Sequence, residues 1–191
     1  MTTDGEWLVV VDMQQVFADP ASDWATPGFD RAAAGIERLL PRYAGRTVFT
    51  RFVAPAAPWG SWAPYYERWA FARRPAQDPM WDVVPRFDVR RSPVVSAPTF
   101  GKWGAALAEA VGHARRLLLT GVSTDCCVLS TALAAVDAGQ FVRVAGDACA
   151  GLSDADHDRA LAAMALYAPM VEVVSVDAVL SEGEVAARPA R

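Results

Sequence analysis

The stretch Leu117–Gly139, "LLLTGVSTDCCVLSTALAAVDAG", places two adjacent cysteines where one kind of local structure gives way to another. "RRLLLTGV" (115–122) is a short, continuous apolar run, and such runs read as buried strands. "CVLSTALAAVDAG" (127–139) has helical composition and ends on Gly139, a residue suited to closing a helix. A strand running directly into a helix is the repeating unit of a parallel α/β sheet.

The same alternation extends in both directions. "WLVVVD" (7–12) reads as a buried parallel strand ending in an acid. "FDRAAAGIERLLPRYAG" (29–45) has helical spacing at Ala33, Ile36, Leu39 and Leu40, with Gly45 as a stop. Strands are expected at 46–53, 92–97, 115–122, 140–148 and 170–176. Helices are expected at 102–114, 127–139 and 153–168, the last capped by Ser153 or Asp154. The expectation is a single-domain, doubly wound (Rossmann-like) α/β fold over residues 1–191, with a mainly parallel sheet flanked by helices. Sites in such sheets lie at the C-terminal ends of strands. Residues 54–87 depart from the alternation. They are crowded with proline and aromatics and read as a long excursion over the sheet edge, long enough to be functional.

Composition excludes several classes. With 191 residues, 53% hydrophobic and 21% charged, the chain can bury a sizeable core and is not of disordered type. Its apolar runs are too short to span a bilayer, and "MTTDGEWLVVVD" has no secretory-signal pattern, so a cytoplasmic protein is expected. A net charge of −4 with no basic face argues against nucleic acid and anionic membrane as partners. Three cysteines (Cys126, Cys127 and Cys149) do not make a disulfide framework. Lysine occurs once, at Lys102, against 17 arginines. A lone lysine in an arginine-using chain invites a functional explanation.

A thiol at a helix start meets the positive end of the helix dipole and free backbone N–H groups, both of which favour thiolate. The bland alternative is a small buried side chain. Here "GVSTDCCVLSTA" resembles the signature of the isochorismatase-like cysteine hydrolases, which include nicotinamidases, N-carbamoylsarcosine amidases and isochorismatases. "VVVDMQQVF" is similar to that family's first strand with its Asp, and "GQFVRVAGDACAG" and "HDRALAAM" extend the likeness over most of the chain. The resemblance implies a Cys–Asp–Lys triad with Cys127 as nucleophile, Asp12 as proton acceptor and a lysine beside both. It implies oxyanion donors at the backbone N–H groups of Ser123 and Cys127, and a cis peptide at Val122–Ser123. Gln14 and Phe17 fall in the family's Asp-x-Gln-x-x-Phe spacing and are expected at the substrate pocket. Phe17 is an apolar aromatic, a type more often plain core; the aromatics of 54–87 read as a lid or subunit interface or as ordinary packing of the loop onto the sheet, with Trp62 the best single pocket candidate.

Two departures stand out. Metal-using nicotinamidases carry an Asp-x-His cluster after the second strand, whereas this chain reads "TRFVAPAAPWG", so no metal and no cofactor are expected. The family's lysine falls on Ala97 when aligned through "PTFGKW", and Lys102 lies five residues later. Lys102 is taken as the triad cation, with an arginine such as Arg51 as the fallback. The leading expectation is a metal-independent hydrolase cleaving a C–N bond in a small amide, carbamoyl compound or lactam through a thioester. The alternatives are vinyl-ether hydrolysis of an isochorismate-like acid, and a catalytically idle interaction module. The family resemblance further implies a homodimer or homotetramer.

Overall fold

The computed structural model describes residues 5–186. Six strands form one sheet: β1 (Glu6–Val11), β2 (Thr47–Phe52), β3 (Val94–Ala97), β4 (Arg116–Val122), β5 (Phe141–Ala150) and β6 (Val171–Val174). Their order is β3-β2-β1-β4-β5-β6, and every neighbouring pair is parallel. The helices are α1 (Gln15–Ala18), α2 (Phe29–Leu39), α3 (Trp62–Arg68), α4 (Ala105–Val111), α5 (Leu129–Asp137), α6 (Asp154–Ala165) and α7 (Val176–Ala186). Among the described residues no helix is long and apolar enough to cross a membrane.

Continuous apolar strands are required because both sheet faces are covered. Along β1, Leu8 and Val10 enter one core while Val9 and Val11 enter the other. Along β4, Leu118 and Val122 face the first core, and Leu117 and Leu119 face the second. All eight side chains are fully buried. Truncating any of these leucines to alanine is of the kind that costs about 2–5 kcal/mol.

Boundaries shift from the sequence expectation for local reasons. The helix expected through Gly45 stops at Leu39: Leu40 still has helical backbone and bonds to the Ile36 carbonyl, but Pro41 has no N–H to continue the ladder. Gly45, at φ 76°, instead turns the chain into β2. The last expected strand (170–176) ends at Val174, and α7 begins at Val176. This helix was not anticipated. The Ser175 hydroxyl caps it by accepting from the Ala178 N–H at 3.1 Å, and Val176 and Val179 bury against the first core. The excursion at 54–87 contains α3 and two 3₁₀ turns, Ala70–Ala72 and Pro79–Trp81, with Tyr66 and Trp81 almost wholly buried.

Candidate active site

The strand order reverses between β1 and β4, and the crevice beyond their C-terminal ends is where an open α/β sheet accepts ligands. Val11 pairs with Gly121 at this switch point. A Cβ at Gly121 would stand 2.0 Å from the Val11 carbonyl oxygen, and its φ is 103°, so only glycine permits the approach. The next residue of β1's chain, Asp12, is fully buried and has φ 50°, a left-handed conformation unusual for a non-glycine residue. Its backbone N–H donates to Thr50 Oγ1 at 3.2 Å, and the same hydroxyl donates to Asp12 Oδ1 at 2.7 Å. Thr50 thereby fixes both the backbone and the carboxylate. It went unremarked in the sequence, where its signal was a hydroxyl inside the apolar strand "TVFTRF".

After β4, the Val122–Ser123 peptide is cis. The chain then makes one π-helical turn, Thr124–Val128, before α5 begins. Cys127 sits in this turn, 4% exposed. Asp125 ties the turn to the loop after β5 and Thr124 ties it to α6: Leu152 N–H donates to Asp125 Oδ1 at 3.1 Å, and Thr124 Oγ1 lies 2.8 Å from His157 Nδ1.

Lys102 reaches the same point from the loop after β3. Its Nζ is 2.9 Å from Asp12 Oδ2, with both side chains completely buried. It also donates to the Thr99 carbonyl at 2.5 Å and lies 4.8 Å from the centre of the Phe52 ring. The loop turns inward because Lys102 N–H donates to Thr131 Oγ1 at 2.9 Å, and that hydroxyl donates to the Cys127 carbonyl at 2.6 Å. The lysine is thus pinned to the helix that carries the cysteine. Ala97 closes β3 opposite Phe52. Arg51, the fallback cation, is bonded to Ser96 at 3.1 Å and paired with Asp82 at 3.6 Å.

Lys102 thus neutralises Asp12 Oδ2 while Thr50 holds Oδ1. The Cys127 thiol is close enough to hydrogen-bond to the carboxylate. Burial pushes this thiol well above the ordinary range; Lys102 opposes the rise, and Asp12 adds to it. Desolvation is the largest influence on this thiol and exceeds the opposing pull of Lys102. Cys126, partly exposed beside it, is also raised by burial and by Asp125.

A cavity of about 220 Å³ opens above Cys127. Ser123, Cys126 and Cys127 form one side; Phe17, Trp24, Phe52, Tyr65, Trp69 and Phe100 form much of the rest. Phe17 lines it as expected from its spacing. Gln14 does not. Its amide nitrogen donates to the Phe52 and Trp81 carbonyls at 2.9 and 2.7 Å, and its oxygen accepts from Phe52 N–H at 2.7 Å. A fully satisfied buried amide joins β1 to β2 and the excursion, with nothing left for a ligand. Trp62 stands one layer back, against Phe52, Tyr65 and Phe100. Tyr65 and Trp69, one and two helical turns on, take the position expected for it. Trp24 is the other unanticipated wall; its signal was an isolated tryptophan shortly after Phe17. A larger, shallower depression of about 520 Å³ lies between α1 and the excursion, but it contains none of the reactive groups.

The fold is shared with solved structures. A cysteine hydrolase from Pseudomonas syringae pv. phaseolicola 1448A superposes with a TM-score of 0.84 at 19% identity, covering 97% of this chain and 95% of that one. An isochorismatase family protein from Desulfovibrio vulgaris subsp. vulgaris gives 0.80 at 19% identity, over 96% and 99%. The pyrazinamidase of Pyrococcus horikoshii, in complex with zinc, gives 0.73 at 24% identity, over 90% and 99%. Among the described residues no three His, Cys, Asp or Glu side chains cluster closely enough to hold a metal ion, and residues 53–60 after β2 contain none of these types. No curated protein matches the sequence. The isochorismatase domain model matches residues 6–178, and the chain therefore belongs to the isochorismatase family of hydrolases.

Proposed function

We propose that the protein is a metal-independent cysteine hydrolase that cleaves the C–N bond of a small amide, carbamoyl compound or lactam. The observation that carries this reading is the fully buried Asp12–Lys102 ion pair set against the Cys127 thiol at the base of the cavity. Removing two charges from water is costly, and neither packs the core. Together they equip a neutral thiol to act as a nucleophile.

In the proposed reaction the Cys127 thiol proton passes to the Asp12 carboxylate as Sγ attacks the carbonyl carbon. The C=O electron pair moves onto oxygen, where the backbone N–H groups of Ser123 and Cys127 are the proposed donors. Collapse restores C=O, breaks C–N, and sends the proton from Asp12 to the departing nitrogen. A thioester on Cys127 remains. A water then gives a proton to Asp12 and its hydroxide to the carbonyl carbon. The C–S bond breaks, the acid leaves, and the thiolate recovers its proton from Asp12. Lys102 compensates the charge shared between Sγ and Asp12 throughout.

The charge of the cavity favours this over vinyl-ether hydrolysis of a dicarboxylic acid. Among the described residues no lysine or arginine lines the cavity, and its one charged wall residue is Asp23. The test is a panel of small amides and lactams assayed for ammonia or amine release, with acid-quenched protein analysed by mass spectrometry. An acyl adduct on the peptide bearing Cys127 is expected. Turnover that persists in Cys127→Ala would overturn the proposal.

A further inference from the structure

The cavity's walls carry information about the far end of the substrate. Six aromatic rings and one carboxylate face a space of about 220 Å³. That is smaller than the roughly 300–1,000 Å³ typical of pockets for drug-sized ligands. A planar aromatic substrate sandwiched between the walls would need two parallel rings with a gap between them. The two near-parallel pairs here do not provide one. Phe17 and Trp24 have centroids 6.1 Å apart at 13°, and Phe52 and Phe100 are 6.2 Å apart at 19°. Both separations fall within the ~4.5–7 Å of direct ring contact, leaving no slot.

The remaining walls meet at steep angles. Trp24 meets Phe52 at 81° and Trp69 at 67°, and Tyr65 meets Phe100 at 82°. Rings so inclined turn their edges and faces toward a common space from several directions, forming a box. Ring faces are electron-rich and attract cations, most strongly when the cation sheds its water. Asp23 adds the one full charge among the wall residues, while Arg68 stacks on one face of Trp69 and Lys102 on one face of Phe52, leaving the remaining ring surface to receive a cation.

We infer that this aromatic box and Asp23 bind a methylated or protonated ammonium group at the end of the substrate remote from the scissile bond, so that the substrate class is a small cationic amide. The inference rests on the hydrolase reading for the word substrate, but its binding test does not need turnover.

Two probes of matched shape separate the cation from mere hydrophobic fit: trimethylammonio-acetamide and its neutral carbon isostere, 3,3-dimethylbutanamide. Titrated calorimetrically into the Cys127→Ala protein, the cation is expected to bind about tenfold or more tighter. Asp23→Asn, an exposed position, should reduce that preference severalfold and leave the isostere unaffected. Trp69→Leu, half-buried, should weaken the cation more than the isostere. Equal or tighter binding of the isostere overturns the inference, as does a preference insensitive to both variants. The outcomes also part the two proposals. Selective binding of the cation with no hydrolysis by the parent enzyme defeats the hydrolase reading alone. Hydrolysis of both amides without selective binding defeats the cation box alone.

Discussion

Replacing Lys102 with methionine keeps the length and volume of the side chain and removes its charge. At 2.9 Å from Asp12 Oδ2, with both side chains fully buried, the pair's gross attraction is about 6 kcal/mol at an effective dielectric of ~20. Much of this offsets desolvation, so it is not the net value of the pair. Lys102→Met, however, leaves the carboxylate buried without its cation, and breaking such a pair costs about 3–5 kcal/mol. Lys102→Met should therefore lose that much unfolding free energy at pH 7 in urea titrations, a fall in Tm of roughly 6–20 °C at this chain length. The informative comparison is the Asp12→Asn/Lys102→Met double variant. Asparagine tolerates the positive φ at position 12 and keeps an oxygen for Thr50, so the backbone there should hold. Removing both charges should recover at least half of the loss. Activity should be absent from both variants, since both lack the charged pair. The reasoning is refuted if Lys102→Met is as stable as the parent, or if the double variant is no more stable than the single one.

Cys126→Ala should retain most activity while Cys127→Ala loses about three orders of magnitude or more, measured as kcat/KM; the reverse pattern would place the nucleophile one residue earlier. Gly121→Ala should cost about 4 kcal/mol or more, because a Cβ 2.0 Å from the Val11 carbonyl cannot be accommodated without moving β1 from β4, and soluble, normally melting protein would contradict this. Exhaustive chelation should leave the turnover rate unchanged; rescue that depends on added zinc, iron or manganese would disprove metal independence. Because burial raises Cys127 and Cys149 above the ordinary thiol range, their contribution to stability is intact below the unfolded value of about 8.5 and declines as pH rises past it. The decline should reach up to about 1.4 kcal/mol per pH unit for each thiol, read by urea unfolding between about pH 8 and 10. Carbamidomethylation of Cys127 should likewise accelerate through that range, and a rate already at its plateau at pH 7 would show the thiol to be depressed.

The hydrolase chemistry and the box are read from one small cavity, and they divide its surface between them. In the proposed reaction the reacting groups come from the Ser123–Cys127 turn on one side and from Asp12 buried behind it. The opposite wall is drawn from α1, the loop carrying Trp24, and the excursion. Substitutions on that wall can alter which amide enters without touching the Asp12–Lys102 pair.

Short-range pattern determined much of this protein. Apolar runs of strand length alternating with helical spacing imply a parallel sheet, and the acid ending β1 and the cysteines after β4 fall at adjacent strand ends as a consequence of that order. What the sequence left open depends on contacts between distant residues. Alignment through "PTFGKW" favours Ala97 as the cation's place; the path of the loop favours Lys102, because its N–H finds Thr131, 29 residues on, and Gly101 packs beside the Ser130 carbonyl. Gln14 looks like a pocket residue by spacing, yet its amide is consumed by the backbone of Phe52 and Trp81. Trp24 is far along the chain from Tyr65 and Trp69 and meets them only when the excursion folds back over β2. The state of the Cys127 thiol is likewise a tertiary property. The helix start is local and favours thiolate, but desolvation is set by everything packed around the sulfur, and here it prevails.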